Sequence, residues 1–472
     1  MKLLLIQKLF ELLIKYLNEK EIYFFKCLCK KTKLFINTQL SHFILSNLAK
    51  DKKTQFFTVN EETKTMAIIS AKQKAVDMMI EILKLRPDIK CIETHQNLDV
   101  DAIQKLFVDA NLCGNIKEII FKKFMWYEER AEIISQFFMK NKTIKKLQIL
   151  TVNDCNRGLS PLLGALQHNR SITHYKIAIN TLGQESIVFL TKLIQDNRVI
   201  ESLDLTFESQ HQTHPLVKGK NMNRKNENFA VRCLESIYKV GRHSNIKEIF
   251  LKGCLIAKQG CKYLGLLLES NFKLEVLDLS LNKLQTDSII EISKGLKENQ
   301  TLRVLDLSDN LIEEKAMKIL AEALKTNETL TTLNLNNNTI HQGGCKQLAE
   351  CLIQNRSIKY LSISNNFIKD EGCEAICHYL AMKSCILQRL DLSDNFIREK
   401  GSVNLLAILD YKESDNPEED KYNDELYGII GKNDSLKYLD MSKNDIKSLA
   451  KDFGYIAIHR RYKIKVVLNG LR

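Results

Sequence analysis

Proline is nearly missing from this chain, with four residues in 472, alongside 18 glycines and a single tryptophan. An all-β sandwich or barrel needs turn-formers at every hairpin, so this scarcity disfavours that class and leaves helices to carry much of the fold. Long apolar runs are missing too: no stretch reaches the ~18 uninterrupted apolar residues of a membrane span. The opening MKLLLIQKLFELLIKYL is broken by Lys8, Glu11 and Lys15 and is followed by no small-residue cleavage site. It reads as an amphipathic helix rather than a signal peptide. Also lacking are the phosphate-cradling GxxxxGK[ST], the zinc-protease HExxH and the hydrolase GxSxG, so the usual nucleotide, metalloprotease and serine-hydrolase chemistries have no foothold.

What is present is an ordinary globular balance, 44% hydrophobic and 27% charged, with a formal charge of +13. A basic excess favours nucleic acid or anionic membrane only when concentrated on one face. Here it is spread along the chain, without zinc-finger spacing, an RNP-like aromatic strand or a continuous basic stripe, so no dedicated nucleic-acid site is expected. Thirteen cysteines, an odd number, are scattered from Cys27 to Cys385. In so large a chain they read as reduced thiols of an intracellular compartment, not disulfide staples. Cys27 with Cys29, and Cys373 with Cys377, fall on apolar stripes and read as buried structural thiols. His211 and His214 have no third ligand near them in sequence, so neither a metal nor any other cofactor is expected.

The decisive feature is self-similarity. LEVLDLSLNKL begins at Leu274, LRVLDLSDNLI at Leu302, LTTLNLNNNTI at Leu330 and IKYLSISNNFI at Ile358, each 28 residues after the last. The same template starts at Ile89, Ile116, Ile144, Ile172, Ile200, Ile246, Leu387, Leu436 and Ile464. Apolar residues at the fourth and sixth positions, such as Leu305 and Leu307, share one face of a strand while Asp306 points the other way. The ninth position is Asn282, Asn310, Asn338, Asn366, Asn395 and Asn444; an amide both donates and accepts, so a buried stack of them can satisfy the backbone where each strand turns away. The second half of each unit has helical spacing, as in Gly260, Leu264 and Leu268, or Gly344, Leu348 and Leu352, or Gly372, Ile376 and Leu380. Asn141, Asn169, Asn197, Asn271, Asn299, Asn327 and Asn355 follow these helices, where a left-handed or capping conformation is expected.

These residues resemble the ribonuclease-inhibitor type of leucine-rich repeat over residues 89–472. The resemblance implies an α/β solenoid, a horseshoe with parallel strands on its concave face and helices on its convex face, stabilised by stacking and capped at both ends. Residues 51–88 read as a transition into the solenoid. Two insertions break the period, near 208–227 and 410–425. The expected business of such a solenoid is non-enzymatic protein binding on the concave face and the inserted loops. Concave-facing candidates alternate with the buried residues: Lys122, Lys146 and Lys176 toward the N-terminus, then Phe250, Asp278, Asp306, Tyr360, Asp391, Tyr438 and Asp440. The charge of these candidates changes sign along the chain, and the aromatics are of the kind that anchor interfaces.

Residues 1–50 lie outside the repeat and read as amphipathic helices, a solenoid cap in the simplest view. LFELLIKYLNEKEIYFFKCLCKKTKLF also resembles an F-box, which implies a ubiquitin-ligase adaptor as partner, although an early Pro is missing and Thr32 stands where a Trp is usual. The Lys-, Ile- and Asn-rich composition suggests an AT-rich protozoan genome, and the repeats resemble leucine-rich-repeat subunits of the axonemal nexin-dynein regulatory complex. That implies a cytoplasmic or cytoskeletal setting, the cilium included. A Ran-activator-like GTPase-activating role is the weaker alternative, since the chain ends in KIKVVLNGLR instead of an acidic tail. The cap reading predicts that deleting residues 1–50 lowers solubility or thermal stability by exposing the solenoid's end. A stable, monomeric deletion variant that had lost ubiquitin-ligase association would assign the segment to the adaptor instead.

Overall fold

A computed structural model describes residues 57–470 except for stretches within 69–87, 95–97, 110–114, 151–158, 179–183, 207–219, 271–272, 411–432 and 450–463 and scattered single positions. The expectations for the N-terminal segment, for His211 and His214 and for the second insertion beyond Asp410 lie outside the described residues. The chain divides into two compact units, Met1–Gln210 and His211–Arg472.

In the first unit, β1 (Phe57–Asn60), β2 (Thr65–Ile68), β3 (Cys91–Thr94), β4 (Glu118–Lys122), β5 (Lys146–Leu150), β6 (His174–Ala178) and β7 (Ser202–Asp204) lie side by side in chain order. All neighbours from β2 onward pair in parallel. The returns run through α1 (Val100–Ile103), α2 (Glu128–Lys140), α3 (Leu159–Leu166) and α4 (Gln184–Asp196). β1 departs from the pattern by pairing antiparallel with β2. Its turn is held by Asn60, whose Oδ1 accepts from the N–H groups of Glu62 and Thr63, each at 3.0 Å. The core here is strongly aromatic. Phe124 stands at the ninth repeat position, where the later repeats have asparagine, and its ring lies 5.1 Å from Phe121 and 4.8 Å from Trp126.

The second unit begins with α5 (Lys220–Val240) and then alternates β8 (Glu248–Phe250), α6 (Lys258–Glu269), β9 (Val276–Asp278), α7 (Thr286–Glu298), β10 (Val304–Asp306), α8 (Glu314–Thr326), β11 (Thr332–Asn334) and α9 (His341–Gln354). It continues with β12 (Tyr360–Ser362), α10 (Lys369–Leu380), β13 (Arg389–Asp391), α11 (Glu399–Asp410), β14 (Tyr438–Asp440) and β15 (Lys465–Val467). The first insertion is therefore not all loop, since residues 220–227 are helical. β8 to β15 are parallel and in register, so that Leu277, Leu305, Leu333, Leu361, Leu390 and Leu439 form one buried row. The 49-residue step from Leu390 to Leu439 is one strand spacing in the sheet, so the insertion is excluded from the ladder. Gly260, Leu264 and Leu268, with their counterparts in α9 and α10, face the core.

Two sets of asparagines hold the repeats together. At the ninth position, Asn310 Oδ1 accepts from the N–H groups of Asn282 and Leu284, both at 3.0 Å. Its Nδ2 donates to Leu279 O at 3.1 Å and Leu307 O at 2.9 Å, so one side chain satisfies backbone in two repeats. Asn338, Asn395 and Asn444 bridge repeats in the same way. The asparagines after the helices form the second set. Asn141, Asn299, Asn327 and Asn355 cap their helices in an extended rather than left-handed conformation, with φ −73° and ψ 132° at Asn141 and φ −74° and ψ 134° at Asn299. Asn299 Oδ1 accepts from Thr301 and Leu302 N–H, while its Nδ2 reaches back to Leu268 O at 2.8 Å. An extended backbone is what aims the amide at both repeats. The left-handed position falls instead at the eighth residue, at Leu281, Asp309, Asn337, Asn365, Asp394 and Lys443, with Gly253 in the first repeat of this unit.

Leu305→Ala or Leu333→Ala, each removing a fully buried side chain, is expected to destabilise by about 2–5 kcal/mol. Asn310→Ala orphans several buried backbone groups and is expected to cost about 3 kcal/mol or more. Asp306→Ala should cost only about 1 kcal/mol. Equal losses for Leu305→Ala and Asp306→Ala in chemical denaturation would overturn the strand register.

Candidate functional site

The outward side of each strand is where a partner can be met, because the alternation of the strand sends one side chain to the core and the next away from it. All ten candidates are partly or largely exposed: Lys176, Phe250, Asp278, Asp306, Asp391 and Asp440 lie between two buried neighbours, whereas Lys146, Tyr360 and Tyr438 have an exposed lysine before them and a buried residue after. Several are already engaged within the protein.

In the first unit, Lys122 Nζ lies 2.6 Å from Glu93 Oε1 and Lys176 Nζ lies 3.4 Å from Asp204 Oδ2. Gln148 Nε2 donates to Glu118 Oε1 at 2.6 Å. The lysines therefore face carboxylates on adjacent strands, Lys176 directly opposite Asp204, and this part of the strand face is mixed rather than basic. Lys146 is exposed, in register with Glu118 on one side and His174 on the other. The sign change along the chain is thus weaker than the sequence suggests, because the compensating acids come from repeats 28 or 29 residues away.

In the second unit the fifth-position acids have a structural role. Asp278 Oδ1 accepts from Ser280 N–H at 2.8 Å, Asp306 Oδ1 from Ser308 N–H at 2.9 Å, Asp391 Oδ1 from Ser393 N–H at 3.0 Å and Asp440 Oδ1 from Ser442 N–H at 2.9 Å. Asn334 makes the same turn through its amide oxygen. Each side chain caps the chain as it leaves the strand, as Asx turns do. The second oxygens of three of them are also used: Asp306 Oδ2 accepts from Asn334 Nδ2 at 2.8 Å, Asp391 Oδ2 from Ser362 Oγ at 2.9 Å and Asp440 Oδ2 from Tyr438 Oη at 3.4 Å. Phe250 lies at one end of this row, beside Asp278.

The third position carries the exposed aromatics. Along it the register places Thr332, Tyr360, Arg389, Tyr438 and Lys465 on successive strands. The Arg389 guanidinium sits 4.6 Å from the centre of the Tyr438 ring, with Lys465 Nζ at 5.8 Å. Tyr438 Oη is 3.4 Å from Asp440 Oδ2, and partial burial together with that carboxylate raises the phenol's pKa. Tyr360 is 36% exposed and its hydroxyl reaches Gln388 at 3.5 Å. The sequence named the two tyrosines but not Arg389 and Lys465, whose roles depend on register with Tyr438 across 49 and 27 residues.

Among the described residues of this face no nucleophile, base and oxyanion donor come together. Among the described residues every cysteine but Cys385 is buried: burial pushes Cys91 and Cys351 up to about 12 and Cys261 up to about 11, which suppresses the thiolate. Among the described residues no group of three or more His, Cys, Asp or Glu could hold a metal ion, and no helix is long and apolar enough to cross a membrane.

A leucine-rich-repeat family model matches residues 270–293, 298–318, 326–349, 354–377 and 432–448. Over 184 residues the chain is 27% identical to NACHT, LRR and PYD domains-containing protein 4C of Mus musculus, covering 39% of this chain and 17% of that protein. The match thus spans less than a fifth of that curated relative. Among solved structures, the chain is similar to one in the yeast Rad7 and Elc1 complex over 69% of its length and 75% of that chain, at 18% identity and a TM-score of 0.45. It is also similar to one in the TLR13–ssRNA13 complex over 82% of its length and 50% of that chain, at 12% identity and a TM-score of 0.42. Repeat period, strand order and family match together make the fold an α/β leucine-rich-repeat solenoid.

Burial, ahead of any other cause, raises the pKa of Asp278, with repulsion from Asp306 adding to it. A carboxyl whose folded pKa lies above its unfolded value destabilises the fold at neutral pH, and that penalty is relieved as pH falls through the folded pKa. Asp278→Asn keeps an oxygen for the Ser280 N–H, as Asn334 does for its own turn. It is therefore expected to raise the thermal midpoint at pH 7, and the advantage over the native protein should shrink as the melts are repeated at falling pH.

Proposed function

We propose that this leucine-rich-repeat solenoid is a non-enzymatic docking subunit of a larger intracellular protein assembly, and that the strand face of its second unit meets the partner. The observation that carries this reading is the row of Tyr360, Arg389, Tyr438 and Lys465. Two tyrosines at the same repeat position stand partly exposed, and one of them is held by cations on both sides. Aromatic and arginine side chains are the commonest energetic anchors of protein interfaces. A ring fixed by a neighbouring guanidinium loses little freedom when a partner covers it. The capped aspartates beside this row supply fixed negative charge that orients a partner more than it tightens the grip.

The ribonuclease-inhibitor type is supported by the 28-residue alternation of strand and helix. The kind of assembly is a separate question, with an axonemal complex, a cullin ligase joined through residues 1–50 and a Ran-type GTPase as the competing settings. Affinity purification of the endogenous protein followed by mass spectrometry distinguishes them by what is recovered. With the recovered partner in hand, combined Tyr360→Ala and Tyr438→Ala substitutions are expected to weaken binding by more than about 1 kcal/mol without lowering the thermal midpoint. Unchanged affinity in a titration would move the interface off this face.

A further inference from the structure

The residue immediately before each strand of the first unit from β2 onward forms a row that the linear sequence hides. These residues are Lys64, Lys90, Lys117 and Lys145, followed by Thr173 and Glu201. Their backbones are bonded one to the next: Lys90 N donates to Lys64 O at 3.0 Å, Lys117 N to Lys90 O at 2.7 Å, Lys145 N to Lys117 O at 2.7 Å and Thr173 N to Lys145 O at 2.9 Å. Adjacent strands are ~4.8 Å apart, so four lysines stand within about 14 Å. Lys90, Lys117 and Lys145 are exposed, as is Lys146 beside them. Lys64, at the end of the row, lies 3.4 Å from Asp88. No described carboxylate forms a salt bridge with Lys117 or Lys145.

The same position in the second unit behaves differently. There it reads Lys247, Glu275, Arg303, Thr331, Lys359, Gln388 and Lys437, joined by the same backbone bonds. Every cation in that series is separated from the next by an acidic or neutral residue. Like charges at neighbouring ladder positions repel, and the second unit avoids this while the first accumulates it. At the centre of the row Lys117 and Lys145 stand on adjacent strands, both exposed, an arrangement that an anionic segment complements.

We propose that the row Lys90, Lys117 and Lys145, with Lys146, docks an extended acidic segment of a partner protein. A single extended chain fits the dimensions, because the stripe is one side chain wide and is bordered on the strands by Glu93 and Glu118. A nucleic acid, whose phosphates spread over a broader surface, would meet those carboxylates, and the row holds no aromatic ring on which a base could stack. The surface belongs to the first unit and stands independently of the tyrosine row.

The test uses the full chain and a fluorescein-labelled glutamate-rich dodecapeptide, read by fluorescence anisotropy. Binding is expected to weaken as salt is raised from about 50 to about 300 mM. The Lys117→Glu/Lys145→Glu variant should lose at least about tenfold in affinity, while Lys359→Glu/Lys437→Glu, an equal change of charge in the second unit, should lose no more than about twofold. Should charge reversal lower the thermal midpoint, Lys117→Gln/Lys145→Gln gives the same comparison with less perturbation. The proposal is overturned if the peptide does not bind or if both charge-reversal pairs weaken it equally, which would show only the response of a basic protein. It is equally overturned if a single-stranded oligonucleotide binds more tightly than the peptide and loses affinity with the same lysines.

Discussion

The side-chain amide of asparagine is the contact on which this architecture rests. A short strand followed by a helix leaves backbone donors and acceptors at two bends per repeat, and each bend is buried by the next repeat, where no water can satisfy it. An amide is small, neutral and able to donate and accept at once, so it can be buried without the cost of a charge. Asn310 at one bend and Asn299 at the other join backbone groups of successive repeats. The leucine rows supply the greater part of the apolar burial, but leucine is indifferent to register. The amides make a one-residue slip costly, and they keep β13 beside β14 although 49 residues separate the paired positions.

Where the sequence was transparent, periodicity made it so. Each of the thirteen template starts is followed by a strand within two residues, because fourth and sixth apolar positions separated by a polar one have only one reading at that length. The β1–β2 hairpin escaped because its turn uses Asn60 and two glutamates instead of glycine or proline. The helix over 220–227 escaped because KNMNRKNE has no apolar stripe of its own and is helical as the leading end of α5. After the helix, where a left-handed or capping residue is expected, the asparagines cap in an extended conformation, while the left-handed residue lies one position before the buried ladder and is leucine or lysine in some repeats.

The candidate surface was legible in direction but not in chemistry. Alternation alone sends Tyr360, Tyr438 and the fifth-position aspartates away from the core. It does not reveal that Asp306 caps its own turn and also binds Asn334, or that Lys122 faces Glu93. Such pairings join residues about one repeat apart, a distance at which a linear reading sees no neighbours. The lysines that precede β2 to β5 are the extreme case, since no two of them lie within 25 residues of each other and yet their backbones touch.

One further feature bears on the strand face from behind it. Packed helices ordinarily stand 8–10 Å apart, about twice the spacing of paired strands, so stacked repeats tend to splay on the helix side. Gly265 of α6 and Gly295 of α7 interrupt that tendency: a methyl on Gly295 would run into the Gly265 carbonyl, and one on Gly265 into the carbonyl of Glu291. The two helices meet backbone to backbone there, and the wedge between these repeats is thinner than an alanine would permit. The angle between the repeats that carry Phe250 and Asp278 on the opposite layer is therefore set in part by two glycine hydrogens. Evolution could retune the pitch of the strand face at those glycines while leaving every exposed side chain unchanged.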